Sequence, residues 1–167
     1  HPHVSDDFRL TLQDNRIEAT AGLSHPATGT RVADVRIEHR LATGAGEAVL
    51  EVSGLTFGEG FQPDALTPLT LGVVALVDGT VRGQGRIAWD GEGVRSTGRF
   101  GTSDMNLAAP FGPVEGLTTT IEFTDLLGLT SAPGQTARID LVRAGVDVYD
   151  GSVSYQLLPN YRVQVES

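Results

Sequence analysis

From Val81 to Trp89 the side chains alternate without a break. Val81, Gly83, Gly85, Ile87 and Trp89 share one parity, and Thr80, Arg82, Gln84, Arg86 and Ala88 share the other. A period of two sends successive side chains to opposite faces of an extended strand, and no helix produces it. The same period runs through Phe8–Leu12, Arg16–Ala21, Val35–Glu38, Ala48–Ser53, Val94–Thr102, Leu117–Thr124, Ala137–Val142, Val146–Tyr149, Ser152–Leu157 and Tyr161–Val165. The 21 glycines and several Asp-Gly pairs punctuate these runs at the spacing of an antiparallel meander. Helical periodicity is weak. A short helix is predicted at "PDALTPL", with Pro63 in its first turn, and a second at "TDLLGL". The apolar run Leu69–Val77 fits a buried strand and a buried helix equally well.

The segment "RGQGRIAW" also spells Gly83-x-Gly85-x-x-Ala88, a dinucleotide-binding pattern. Such a loop must end a strand and open a helix whose amides meet a pyrophosphate. Here the alternation continues through both glycines, so the segment is a strand and not a phosphate cradle. The following "DGEG" suits a four-residue hairpin loop. That loop pairs Trp89 with Val94, Ile87 with Ser96, Gly85 with Gly98 and Gly83 with Phe100. An aromatic ring then lies opposite a strand glycine and supplies packing that the glycine lacks. The same register sends Arg82, Arg86, Arg95 and Arg99 to the wetter face. "VDGTVRGQ" and "YDGSVSYQ" share an Asp-Gly-Thr/Ser-Val element, read as the same hairpin turn used twice.

With 167 residues, the chain is expected to be a single β domain. A net charge of -9 argues against a nucleic-acid surface. All twelve basic residues are Arg. There is no Cys, so neither disulfides nor thiolate metal sites are available. The longest apolar run falls short of the ~20 residues of a membrane-spanning helix. The chain opens at "HPHVSDD" and stops at "VQVES" with its strand pattern unfinished, so it is expected to be a segment of a larger protein.

Chemical motifs are sparse. His1 and His3 resemble an amino-terminal copper site, but Pro2 lacks the amide such a site needs. His25 precedes Pro26 and reads as a loop residue. His39 ends the charged strand "RIEHR" and reads as solvated. No His-x-x-x-His spacing occurs. Ser96 in "GVRSTG" has its leading glycine one position too far away for a nucleophile elbow. Asp6, Asp7, Asp78, Asp90, Asp125 and Asp150 read as turn residues, and "DGEG" lacks the alternating oxygen ligands of a calcium loop. No catalytic residue, metal ligand or cofactor is expected.

Several blocks, in order, carry a resemblance. They are "DGTVRGQGRIAWDGEGVRSTGRFGTSDMNL", "FGPVEGLTTTIEFTDLLGLTSAPGQ" and "IDLVRAGVDVYDGSVSYQL", including the Gly112–Leu117 turn and Pro133-Gly-Gln135. This pattern resembles the carboxy-terminal region of the YdbH family, AsmA-like envelope proteins of Gram-negative bacteria related to TamB and YhdP. The family-like region is 61–167, and 1–60 holds less distinctive strands. The resemblance implies a periplasmic β-groove, apolar inside, on a parent chain anchored in the inner membrane, carrying phospholipids between the inner and outer membranes. An older "dicarboxylate transport" label also attaches to this region.

The residues alone favour an ordinary sandwich core over a groove, and the resemblance reverses that order. The expected fold is mainly β, a strongly twisted antiparallel sheet forming an open or taco-shaped roll with one or two short helices. The expected role is non-catalytic. Candidate lining residues for phospholipid acyl chains are Val81, Gly83, Gly85, Ile87, Trp89, Val94, Phe100, Leu117, Ile121, Phe123, Ile139, Leu141, Val153, Tyr155 and Leu157. Their glycines would thin and bend the apolar face, and Gly85→Val is expected to block a lipid path. Two alternatives stand beside this. One is a dicarboxylate-binding domain using the hairpin arginines. The other is a β-sheet interaction module whose open edges pair with neighbouring strands of the parent chain or with a second copy.

Overall fold

In a computed structural model, eleven strands form one antiparallel sheet. The structure describes residues 4–66, 70, 74–143, 145–159 and 162–166, without the side chains of 4–7 and 166. The strands are β1 (Val4–Gln13), β2 (Arg16–Ser24), β3 (Arg31–Arg40), β4 (Gly46–Phe57), β5 (Ala75–Asp90), β6 (Gly93–Ala109), β7 (Gly112–Asp125), β8 (Thr130–Ser131), β9 (Gln135–Arg143), β10 (Asp147–Leu158) and β11 (Arg162–Glu166). They lie in chain order, except that β8 pairs only with β7, and β9 follows β7 in the sheet. The ends, β1 and β11, do not pair with each other among the described residues, so the sheet is not a closed barrel.

Local chemistry explains the turns. β1 and β2 are joined by Asp14 and Asn15, both in the left-handed region (φ 54 and 59), which fits a two-residue turn matched to strand twist. The β5–β6 loop pairs Trp89 with Val94 and closes on Asp90 opposite Gly93, leaving Gly91 and Glu92 at the tip. Asp90 there accepts the Glu92 amide at 2.8 Å. Its carboxyl is held below the usual value mainly by that amide, and also by Arg95.

The expected helix at Pro63 is a single 3-10 turn, Pro63–Ala65, and its continuation at 67–69 lies outside the described residues. The second expected helix is absent: Leu126–Leu129 form a turn after β7. Of the ambiguous run, Ala75–Val77 are strand, whereas 69 and 71–73 lie outside the described residues. Neither repeated Asp-Gly is a hairpin turn. Asp78-Gly79 sits inside β5, where the register against β6 shifts, and Asp150 (φ 52) with Gly151 sits inside β10. Asp-Gly suits a strand irregularity for the reason it suits a turn, since both positions tolerate unusual φ. Asp6 and Asp7 likewise lie within β1. The Gly112–Leu117 block is not a turn either; it opens β7, and the turn is Pro110-Phe111.

Irregularities fall side by side on four adjacent strands. The register shifts between Val52 and Leu55 in β4, around Asp78 in β5, between Thr102 and Met105 in β6, and between Leu117 and Val114 in β7. Each extra residue bends its strand and keeps the next apolar side chain on the same face. At this crease lies the main core: Leu55, Phe57, Phe61, Val77 and Met105, flanked by Leu107 and Leu117. Phe57 and Phe61 stack with centroids 5.5 Å apart. Gln62 seals the corner. Its amide oxygen accepts the Val77 amide at 2.8 Å, while its nitrogen donates to the carbonyls of Val77 (2.9 Å) and Gly58 (2.6 Å). One side chain thus replaces the strand that β4, whose pairing with β5 ends at Gly79, cannot supply. Replacing Gln62 with Ala should cost about 1–3 kcal/mol in urea unfolding, because the Val77 backbone groups would lose their partners.

Candidate functional site

The two faces of the sheet differ in chemistry. Register links place Ala21, Val35, Leu50, Gly85, Gly98 and Phe123 in one row crossing six strands. A second row runs Leu55, Val81, Thr102, Thr119, Ala137 and Val153. Residues directly opposite in adjacent strands share a face, so both rows belong to one largely apolar surface. Fourteen of the fifteen candidate lining residues share the parity of these rows, and the fifteenth, Leu141, lies opposite Glu115, which ion-pairs with Arg143. Val81, Gly83, Gly85, Ile87 and Trp89 come from β5, and Val94 and Phe100 from β6. Leu117, Ile121 and Phe123 come from β7, Ile139 and Leu141 from β9, and Val153, Tyr155 and Leu157 from β10.

No second layer covers this surface among the described residues, yet its small side chains are hidden. Ala19, Ala33, Ala48 and Ala137 are only 6%, 3%, 8% and 4% exposed. A single sheet hides a methyl group only when neighbouring side chains close over it, as they do when the face curls inward. At its two edges the face opens: Leu10 and Leu12 of β1, and Val163 and Val165 of β11, are at least half exposed. The apolar strip is therefore continuous across the sheet and unsealed at both ends.

Glycines set the profile of the strip. A Cβ on Gly83 would meet the Phe100 ring at 2.6 Å, and one on Gly98 would meet it at 2.9 Å. The ring thus lies over strand glycines, as the hairpin register predicts. A Cβ on Gly85 would meet Leu126 Cδ2 at 2.6 Å. The space beside these glycines is filled by the chain itself, so a side chain at 85 reaches Leu126 before any lipid. Trp89 uses Gly46 in the same way, with its Cζ2 2.7 Å from a Cβ placed there. The indole Nε1 then donates to His39 Nδ1 at 3.1 Å. His39 is not the solvated strand end read from sequence. It lies opposite Gly46 on the apolar face, where the neighbouring glycine lets the indole reach it. His25 is half-buried, its ring edge-on to Phe61 at 5.3 Å. His1 and His3 lie outside the described residues.

Polar atoms on this face are few and paired. Thr119 Oγ1 lies 2.8 Å from the Thr136 carbonyl and 2.7 Å from the Tyr155 hydroxyl, a hydroxyl pair in which either oxygen can donate. Burial raises the Tyr155 pKa, opposed in part by the Thr119 bond. Ser131, 2% exposed, accepts the Leu157 amide at 2.8 Å. Gln135 accepts the Glu122 amide at 2.8 Å.

The opposite face carries most of the charge, much of it in local ion pairs. Arg86 contacts Glu47 through Nε at 3.0 Å and through a second nitrogen. Arg95 meets Asp90 at 3.3 Å, Arg99 meets Glu122 at 3.9 Å, and Arg40 meets Glu38 at 3.3 Å. A depression of about 360 Å³ on this side brings Arg40, Arg86 and Arg95 together with Glu38, Glu47 and Asp90. An anionic ligand there would have to displace a carboxylate for each guanidinium it engaged. Of the four arginines anticipated for a dicarboxylate, Arg86, Arg95 and Arg99 are held in exposed ion pairs, a type of pair that adds little to stability.

Sequence reasoning missed Leu55, Phe57, Phe61, Val77, Met105 and Val114, all buried, because the strand readings stopped where the parity slipped. The slip itself was the available signal. Leu126 was missed for another reason: it comes from a turn expected to be helical.

A comparison with known families finds a match over nearly the whole chain. The YdbH-like family, described as intermembrane phospholipid transport protein YdbH, matches residues 2–167. The chain belongs to that family. No curated protein and no solved structure matches it.

Two outcomes test the geometry. Gly83→Ala should destabilise the chain by about 1–3 kcal/mol in urea, since the new methyl meets the Arg99 carbonyl as well as the Phe100 ring. Because the Tyr155 pKa is raised on folding, the contribution of its neutral form is complete below the unfolded value near 10.0 and is lost as pH rises through the folded value. Thermal stability should therefore fall above pH ~10, and Tyr155→Phe should flatten that fall.

Proposed function

We propose that this chain is a non-catalytic stretch of a groove along which phospholipid acyl chains pass between the inner and outer membranes. The observation that carries this is the apolar face that extends from β1 to β11 with no second layer over it among the described residues. Acyl chains have no hydrogen-bonding demands, so a strip of Val, Leu, Ile and Phe side chains floored with glycine suits them, and their burial is worth ~0.8 kcal/mol per methylene. Headgroups stay outside, near the rims. Family membership supports the cargo, because the family is described as an intermembrane phospholipid transporter.

In this reading the chain works in the periplasm, on a parent protein anchored in the inner membrane. The edge strands supply the means of continuation. Leu10 and Leu12 on β1, and Val163 and Val165 on β11, leave apolar rows ending at strand edges that have no partner strand among the described residues. Neighbouring strands of the parent chain would extend both the hydrogen-bond ladder and the strip; a second copy would do the same for the isolated segment. The dicarboxylate reading gains no support from the arginines, since three of the four are matched by carboxylates.

Lipid extraction and native mass spectrometry on the purified chain should find bound phospholipid. Phospholipids brominated in their acyl chains should quench Trp89, the chain's single Trp. Val153→Arg should reduce occupancy severalfold, because a charge would enter the strip, while Arg86→Gln on the other face should not. A lipid-free chain that instead bound succinate at micromolar concentration would sink the groove reading.

A further inference from the structure

At one place a turn of the chain lies over the strip. After Asp125 the backbone leaves β7 and turns over the apolar face at β6. Ser96, opposite Ile87 on that face and 6% exposed, holds the turn at three points. Its hydroxyl donates to Asp125 Oδ1 at 3.0 Å and accepts the Leu127 amide at 3.1 Å, and its carbonyl accepts the Leu126 amide at 3.4 Å. Leu126 thereby reaches across to β5, with its Cδ2 in the space beside Gly85. Gly85 and Gly98 face each other in the middle of the first apolar row, with Leu50 on one side and Phe123 on the other.

Other features of the turn distinguish it from fixed core. Leu126 is only partly buried, and the adjacent Leu127 is 56% exposed. Leu129 closes the turn at φ 55, a conformation L side chains rarely adopt, so releasing the turn relieves strain. Within itself the turn is closed by the Gly128 amide on Asp125 Oδ1 at 3.1 Å and the Leu129 amide on the Leu126 carbonyl at 3.2 Å, whereas its tie to β6 runs through Ser96.

We propose that the β7–β8 turn is a displaceable plug in the lipid path, in which Leu126, held by Ser96, occupies the acyl position over Gly85 and yields it to an incoming phospholipid chain. This rests on the groove reading and adds a regulatory step to it. An aliphatic side chain of four carbons stands in for a segment of acyl chain, so occupation by one excludes the other. Lipid binding and plug closure are linked, and weakening the plug strengthens binding.

The test uses a pyrene-labelled phosphatidylglycerol, with energy transfer from Trp89 as the readout. Leu126→Ala and Ser96→Ala should each bind the probe more tightly than the parent chain, by roughly tenfold for the first, and should load it faster. Thermal melts on both variants separate this from simple destabilisation, which lowers the melting point without tightening binding. Ser96→Ala keeps every apolar group and so remains informative if Leu126→Ala folds poorly. If the parent chain binds the probe and neither variant binds it more tightly, the plug is refuted and the groove stands. Absence of binding by all three chains would overturn the groove reading, and the plug with it.

Discussion

A single antiparallel sheet without a second layer has one apolar face and nothing to put it against. That constraint organises the molecule. Hydrogen bonds between successive strands satisfy the backbone, but they leave a continuous row of aliphatic side chains facing the same way. A sandwich would resolve this with a second sheet and a globular α+β fold with helices. This chain resolves it by curling, so that large side chains close over small ones and alanines become nearly inaccessible. At the crease, bulges on four neighbouring strands make the bend, and the Phe57–Phe61 stack and Gln62 close the corner.

The same constraint accounts for where polarity is placed. Charge sits on the outer face as short-range ion pairs, most of them between neighbouring strands, and contributes solubility more than stability. Inside, each polar group has a specific structural task. Ser131 and Gln135 receive backbone amides, Tyr155 shares a hydrogen bond with Thr119, and Ser96 fastens a turn. A surface of this kind offers a ligand dispersion contacts and almost no directional bonds, which fits cargo recognised by its hydrocarbon and not by its headgroup.

Particular segments show how much could be read in advance. The register of the β5–β6 hairpin, including Phe100 against Gly83, followed from unbroken parity plus the length of "DGEG", and the structure has it. Strand positions were legible for the same reason. Asp78-Gly79 and Asp150-Gly151 were misread as hairpin turns, because the dipeptide tolerates unusual φ in a turn and inside a strand alike. His39 was misread because its charged neighbours suggested water, whereas parity had already placed it on the face of Ile37 and Val35. The core at the crease escaped notice because each bulge shifts the apolar parity by one.

Taken alone, the sequence determined that the chain is made of strands, which side chains share a face, and that the glycines at 83 and 85 are not a phosphate loop. These are consequences of a local period of two, which needs no distant partner to be read. Only the tertiary structure decided that the bulges align into a crease, that Trp89 reaches His39 over Gly46, and that Leu126 fills the space beside Gly85. Each of these joins residues far apart in the chain. Their meeting depends on how adjacent strands slide and bend against one another, and a one-dimensional pattern does not contain that information.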